Sequence, residues 1–430
     1  MTPSDIPAPT ARTGRVAPGR DAAPSGLAGR DFLLLLAATF GMFSNHAVLI
    51  SVVPLWSVGG GAGHGGAGAT TGTVMAVTVA VQLAMGRLTR RFGARVLLPG
   101  IVTVAGAALV AGLVAPGRRG RAVGLYGLAV GLPQVLILPA GLWAAERYGF
   151  VPVFVAAGAL SVLAAPLVAV MSRHPALAPA RGAASGTSRT GAPSLRSRLS
   201  ASFREDDPAD PPASAGPTFL ASLRVSAAGR ALTRAAGPWT ALFAAASALG
   251  GVVSFLPLAL HDPAAAAVAL FALSAAIIAG RWGAGVWNDR CGAGRLTAPG
   301  GVAGVAGMAG MAAAAAMDGG WATGAAVAAA TLYGLGFGLV QNDTLVVMFQ
   351  RSGPDGHGTA SAAWNIAFDA GTGAGAVAIG LLSGVLGIAG SFAVAAAGMA
   401  AALPVAWLDA RGRGRGGAAR PDHGAPGRGG

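Results

Sequence analysis

Apolar stretches long enough to cross a lipid bilayer follow one another along most of this chain. They cover residues 32–56, 70–86, 122–143, 150–171, 238–260, 263–283, 296–317, 321–349, 357–387 and 389–408. A helix needs about 20 apolar residues to span about 30 Å of hydrocarbon. Lipid offers no hydrogen bonds to the backbone, so consecutive runs of this length fold as a bundle of membrane helices. The expected fold class is therefore all-α, a polytopic membrane protein.

Composition agrees where it bears on that reading. Charged residues are only 11% of the 430, against about 25% in soluble domains, and the mean hydropathy is +0.61. Tracts such as "GGVAGVAGMAGMAAAAAM" (Gly300 to Met317) lack the polar residues of a flexible linker. They read as packed helix, because small residues let membrane helices approach closely.

The formal net charge of +14 and the run "RGRGRGG" (Arg411 to Gly417) raise the question of nucleic acid. All 30 basic residues are arginine, however, and they cluster between the apolar runs. That placement fits the positive bias of cytoplasmic loops, and no nucleic-acid partner is expected. Cys291 stands alone, so there is no disulfide framework. No metal-ligand spacing, phosphate-binding loop or nucleophile elbow occurs, and neither enzymatic activity nor a cofactor or metal is expected.

The runs divide the chain into residues 1–30, a disordered cytoplasmic N-terminus; 31–171, a first, incomplete helical bundle; 172–237, a disordered Pro/Ser/Ala/Arg-rich cytoplasmic linker with room for a short surface helix; 238–408, a second bundle of six helices; and 409–430, a disordered Arg/Gly-rich cytoplasmic tail. The polar, proline-rich start does not resemble the n-region of a cleaved signal, so the first helix is expected to remain as an anchor. An internal repeat supports two halves. "GRLTRRFGAR" (Gly86 to Arg95) follows the second run of the first half, and "GVWNDRCGAGR" (Gly285 to Arg295) follows the second run of the second half.

Here the chain resembles the Major Facilitator Superfamily, whose loop after the second helix reads approximately G-x-L-a-D-R-x-G-R. Gly285, Asp289, Arg290 and Gly292 match that pattern; in the first copy Gly86, Leu88, Arg91 and Gly93 match, while Arg90 replaces the acidic residue. The segments from Ala69 to Gly93, Arg118 to Phe150, Gly334 to Arg351 and Ala360 to Gly380 are similar to exporter-like bacterial members. The proline- and glycine-bearing helix from Gly131 to Gly141 is a loose counterpart of their antiporter motif. The resemblance implies two pseudo-symmetric bundles of six helices that rock about a central site, a monomer, and a cytoplasmic gate formed by the matched loop residues.

Against that pattern the first half is short of one helix. It offers four clear runs plus residues 96–116, which lie between "RRFGAR" and "RRGR", and the family's third helix has no counterpart. If 96–116 returns to the side it left, every arginine except Arg147 faces the cytoplasm. A single crossing would put the N-terminal arginines, Arg87 to Arg95 and Arg147 outside. Charge favours a return, but the length suits one crossing; both readings stand at this point, with about ten or eleven membrane segments in total.

Ionisable and amide side chains inside the runs are the candidates for function, because burying them in hydrocarbon is costly. Asp369 is the leading proton-coupling candidate, with Asn365 one turn earlier and Trp364 beside it. Asp343 and His46 are further proton-coupling candidates, since a histidine titrates near neutral pH. Asn45, Gln82, Gln134, Gln341, Asn342, Trp364 and Asn365 are the candidate substrate contacts, as amides recognise carbonyls and hydroxyls without charge. The expectation is a secondary transporter in the inner (plasma) membrane with both termini cytoplasmic. It would export a small organic molecule in exchange for protons. An inward proton symporter of the same fold, and a transport-inactive membrane scaffold, are the alternatives.

Overall fold

The computed structural model describes residues 29–92, 119–171, 217–260, 262–317 and 319–417. Residues 96–116, Gly93 and most of the expected linker lie outside the described residues. So do nearly all of the N-terminal segment and the end of the tail.

Eight helical stretches make up the described structure: α1 (Arg30–Gly59), α2 (Gly63–Phe92), α3 (Arg119–Tyr148), α4 (Phe150–Met171), α5 (Pro217–Ala259), α6 (Pro263–Cys291), α7 (Thr297–Ala315) and α8 (Trp321–Gly417). Each of the ten apolar runs lies on one of them, and no strand occurs among the described residues. Local sequence sets the boundaries. Gly61 and Gly63 take positive φ between α1 and α2, Gly149 does so between α3 and α4, and Gly292 ends α6 at φ +81. Asp262 starts α6 by accepting from the Ala264 amide at 2.9 Å, with Pro263 at the first helical position, where a missing N–H costs nothing.

Two regions differ from the sequence expectation. The stretch assigned to the linker is helical from Pro217 onward, and the tail continues α8 to Gly417. Both carry the cause in their sequence. "PTFLASLRVSAAGRALTRAAG" opens with a proline and is rich in Ala, Leu and Arg, all strong helix formers. The tail adds Arg411, Arg413 and Arg415 to the last turns of an established helix, where cations complement the carbonyl end.

α8 contains more than one span. Trp321–Ser352 and Thr359–Val405 are each apolar enough to cross a membrane, and the second, with 47 residues, would be about 70 Å long if straight. It turns back at Gly387, whose φ is +66. Ala378 and Leu382 before the turn and Val394 and Gly398 after it line one groove.

α1 to α4 form one bundle and α5 to α8 the other. In the first, Gly41 of α1 meets the Leu160 carbonyl and Ala164 of α4, and Gly141 of α3 meets Val48 of α1. The second is held by glycines packed against backbone: Gly338 against Ile277, Gly334 against Leu273 and Gly336 against Gly300. Such contacts bring helices closer than any side chain would allow. Tyr333 fills its centre fully buried, stacked on Phe337 and donating its hydroxyl hydrogen bond to the Ala245 carbonyl at 2.6 Å.

Candidate functional site

The two bundles meet along α2 and the middle segment of α8, and along α3 and α6. At the end of α2 away from its arginines the contact is made of small residues. Gly68 lies against Ala376 and Gly380, and Gly72 against Gly373 and Val377. Thr71 and Ser254, both buried, hydrogen-bond across the bundles at 3.0 Å. On the other pair of helices Gly131 of α3 faces Ile278 of α6.

Three turns further toward the arginine-bearing end, Gln82 of α2 donates to an Asp369 carboxylate oxygen at 2.6 Å. This bond joins the bundles within the apolar part of both helices. The Gln82 Oε1 is buried without a hydrogen-bond partner. Phe368 and Thr372, on either side of Asp369 in sequence, line a central cavity of about 30 Å³ together with His46, Gln134 and Ser274. The cavity draws on α1, α3, α5, α6 and α8, so both bundles build it. It has room for about two water molecules. A larger groove of about 460 Å³ lies within the second bundle, between α5 and the two limbs of α8, away from these polar groups.

The family pattern of the Major Facilitator Superfamily matches residues 97–376, about two thirds of the chain. The chain belongs to this superfamily. Among solved structures it is similar to a D-xylose–proton symporter, with a TM-score of 0.62 and 12% identity over 87% of this chain and 97% of that one. It is also similar to a point mutant of the nucleoside transporter NupG, with a TM-score of 0.59 and 13% identity over 88% and 99% of the two chains. A bacterial homologue of the human lysosomal transporter Spinster, inward-facing and occupied, gives a TM-score of 0.53 and 14% identity over 88% and 96%. At these identities the likeness is one of fold. No curated protein sequence matches the chain.

The second-half residues that match the superfamily's loop pattern lie at the end of α6 and at its C-cap. Asp289 and Arg290 are exposed at the end of α6. Gly292 then adopts φ +81 and ψ 148, a conformation open to glycine alone. In the first half Gly86 and Arg91 lie in the last turns of α2, with Arg91 exposed. Gly285 packs toward the Asn342 amide.

Asp343 stands elsewhere than a proton-coupling role requires. It is fully buried and receives hydrogen bonds from the backbone amides of Gly294, Leu296 and Thr297 and from the Thr297 hydroxyl. These donors occupy its oxygens and fix the loop and the start of α7, so its place is structural. The other candidates divide in the same way. Asn342 accepts from Asn288 at 3.3 Å, and Asn365 bonds the Ser361 carbonyl on its own helix. Trp364 is buried inside the second bundle, stacked on Phe368 and donating to Thr344. Gln341 is buried with its Oε1 unpartnered, and Asn45 is half-buried in α1 beside His46. Of the described candidates, His46 and Gln134 line the cavity that both bundles build, and Gln82 and Asp369 bond to each other across the bundles.

One ionisable residue inside a span was missed. Arg281 lies inside the apolar run 263–283, but counting arginines by side hides it among the loop residues. The visible signal was an arginine within a span.

Proposed function

We propose that the chain is a proton-coupled secondary carrier that exports a small organic molecule by alternating access, with Asp369 as the proton site. The observation that carries the reading is the 2.6 Å bond from Gln82 to Asp369, a carboxylate in the middle of a span joined to the opposite bundle. A carboxylate there is a proton carrier in waiting, because its charge is costly in hydrocarbon and its partner is lost when the bundles part. Proton gain and loss are thereby linked to the rocking of the two halves.

In the proposed cycle the arginine-bearing ends face the cytoplasm of the inner membrane, following the positive-inside bias. The small-residue contact around Gly68 then closes the outer side. Substrate enters from the cytoplasm and reaches the space lined by His46, Gln134 and Ser274. Opening to the outside exposes Asp369, which takes up a proton as the substrate leaves. The return carries that proton inward. Both bundles come from one chain, so one copy is sufficient. The choice of export over uptake rests on the resemblance to exporter-like members.

The test compares cells expressing the wild type or Asp369→Asn by mass spectrometry of cytosol and medium, with and without a protonophore. The expected result is a compound depleted inside and enriched outside by the wild type only, with the difference abolished by the protonophore. Accumulation inside the cell would overturn the direction. Equal export by Asp369→Asn would overturn its role.

A further inference from the structure

We propose that Arg281 binds a carboxylate of the transported molecule, so that the substrate is a small organic monoanion; this rests on the carrier reading above. Arg281 lies ten residues before the end of α6 at Cys291, about 15 Å into the helix at 1.5 Å per residue. That depth lies within the span Pro263–Cys291. It follows Ser274 by seven residues and Ile277 by four, and both of those line the central cavity. Positions at that spacing share one helical face. Arg281 therefore extends the cavity-lining face by one to two turns toward the arginine-bearing end.

Arg281 is half-buried there, and it forms no hydrogen bond or ion pair with any described residue. The two carboxylates placed deepest in the spans are engaged elsewhere. Asp343 is taken by the start of α7, and Asp369 is held by Gln82. An arginine inside a span is ordinarily paired, because an unpaired charge out of water is strongly unfavourable. Among the described residues this one has no fixed partner, and a partner that arrives and leaves with each cycle accounts for that.

The chemistry of the group narrows the partner. A guanidinium presents parallel N–H donors that match the two oxygens of a carboxylate. A phosphate dianion would call for a second permanent cation. The other described arginines sit at or beyond the ends of the spans. One arginine with one unit of charge selects a monocarboxylate. The Ser274 hydroxyl and the Gln134 amide, on the same cavity, offer neutral donors and acceptors for the rest of the molecule.

Equilibrium binding tests this without any gradient, so its outcome is independent of whether the carrier exports or couples to protons. Thermal unfolding of the detergent-purified protein is followed with sodium acetate, lactate, pyruvate and benzoate. The references are sodium chloride at equal concentration, the corresponding amides, xylose and uridine. The wild type is expected to be stabilised by at least one carboxylate and not by its amide. Arg281→Lys is expected to retain the response at higher concentration. Arg281→Gln should weaken it roughly ten- to 150-fold, the range for a lost charge-assisted contact. The proposal is overturned if no carboxylate stabilises the wild type, if Arg281→Gln keeps the full response, or if a neutral compound alone stabilises the protein. Arg281→Gln that elutes and unfolds without ligand as the wild type does has lost the site and not the fold, and the weaker but retained response of Arg281→Lys shows that the charge at this position carries the effect.

Discussion

A single methyl group at Gly68 tests how the far end of the carrier closes. A Cβ built at this position runs into the Ala376 carbonyl and approaches the Gly380 backbone. Neither obstacle is a side chain that can rotate away, so the bundles must separate to admit it. Forcing an extra methyl group into a packed contact costs about 1–3 kcal/mol. That penalty falls on the closed state alone and shifts the balance toward opening by roughly five- to 150-fold. Ser254, fully buried and bonded to Thr71 across the same contact, provides the reporter. Ser254→Cys is placed in a Cys291→Ser background, and a membrane-impermeant maleimide is added to intact cells. Gly68→Ala should raise the labelling rate by about tenfold, the factor for 1.4 kcal/mol. Gly158→Ala, where a Cβ meets nothing within 4 Å, should leave it unchanged. An unaltered rate in Gly68→Ala, with the protein still folded by size-exclusion chromatography, would refute the claim that this contact closes the carrier.

Asp343→Ala removes the acceptor for three backbone amides and one hydroxyl. It should destabilise the protein by about 3 kcal/mol, read as a lower unfolding temperature in detergent. Asp343→Asn, which retains one acceptor oxygen, should lie between Asp343→Ala and the wild type. Gly292→Ala places a Cβ on a backbone at φ +81 and ψ 148 and should cost about 1–3 kcal/mol in the same assay. Gly283→Ala, in the same helix with open space around it, should not.

The membrane architecture was legible because its cause is local. Whether a run such as 238–260 can span depends on its own length and hydropathy, and the same holds for the others. Asp369 was legible for a related reason, since a carboxylate inside a span is conspicuous without any tertiary information. Its partner was not. Gln82 was singled out as an amide in a span, but pairing it with a residue 287 positions away depends on how the bundles dock. The role of Asp343 was hidden similarly. The "QND" triplet carries no trace of the loop at Gly294 to Thr297, which folds back over it and supplies all four of its donors. Arg281 was obscured by the bookkeeping of sides, which weighs every arginine as a loop charge and is blind to depth.

The small size of the central space sets the order of events in binding. At about 30 Å³ it is far below the volume of an organic molecule. Recognition cannot begin in the conformation described, and a ligand must wait for the bundles to part. Association then follows a conformational step instead of diffusion. Its observed rate should level off as ligand concentration rises, at a ceiling set by the opening motion. The apparent affinity measured in solution is correspondingly weaker than the intrinsic affinity of the opened form, by the fraction of molecules open at any moment.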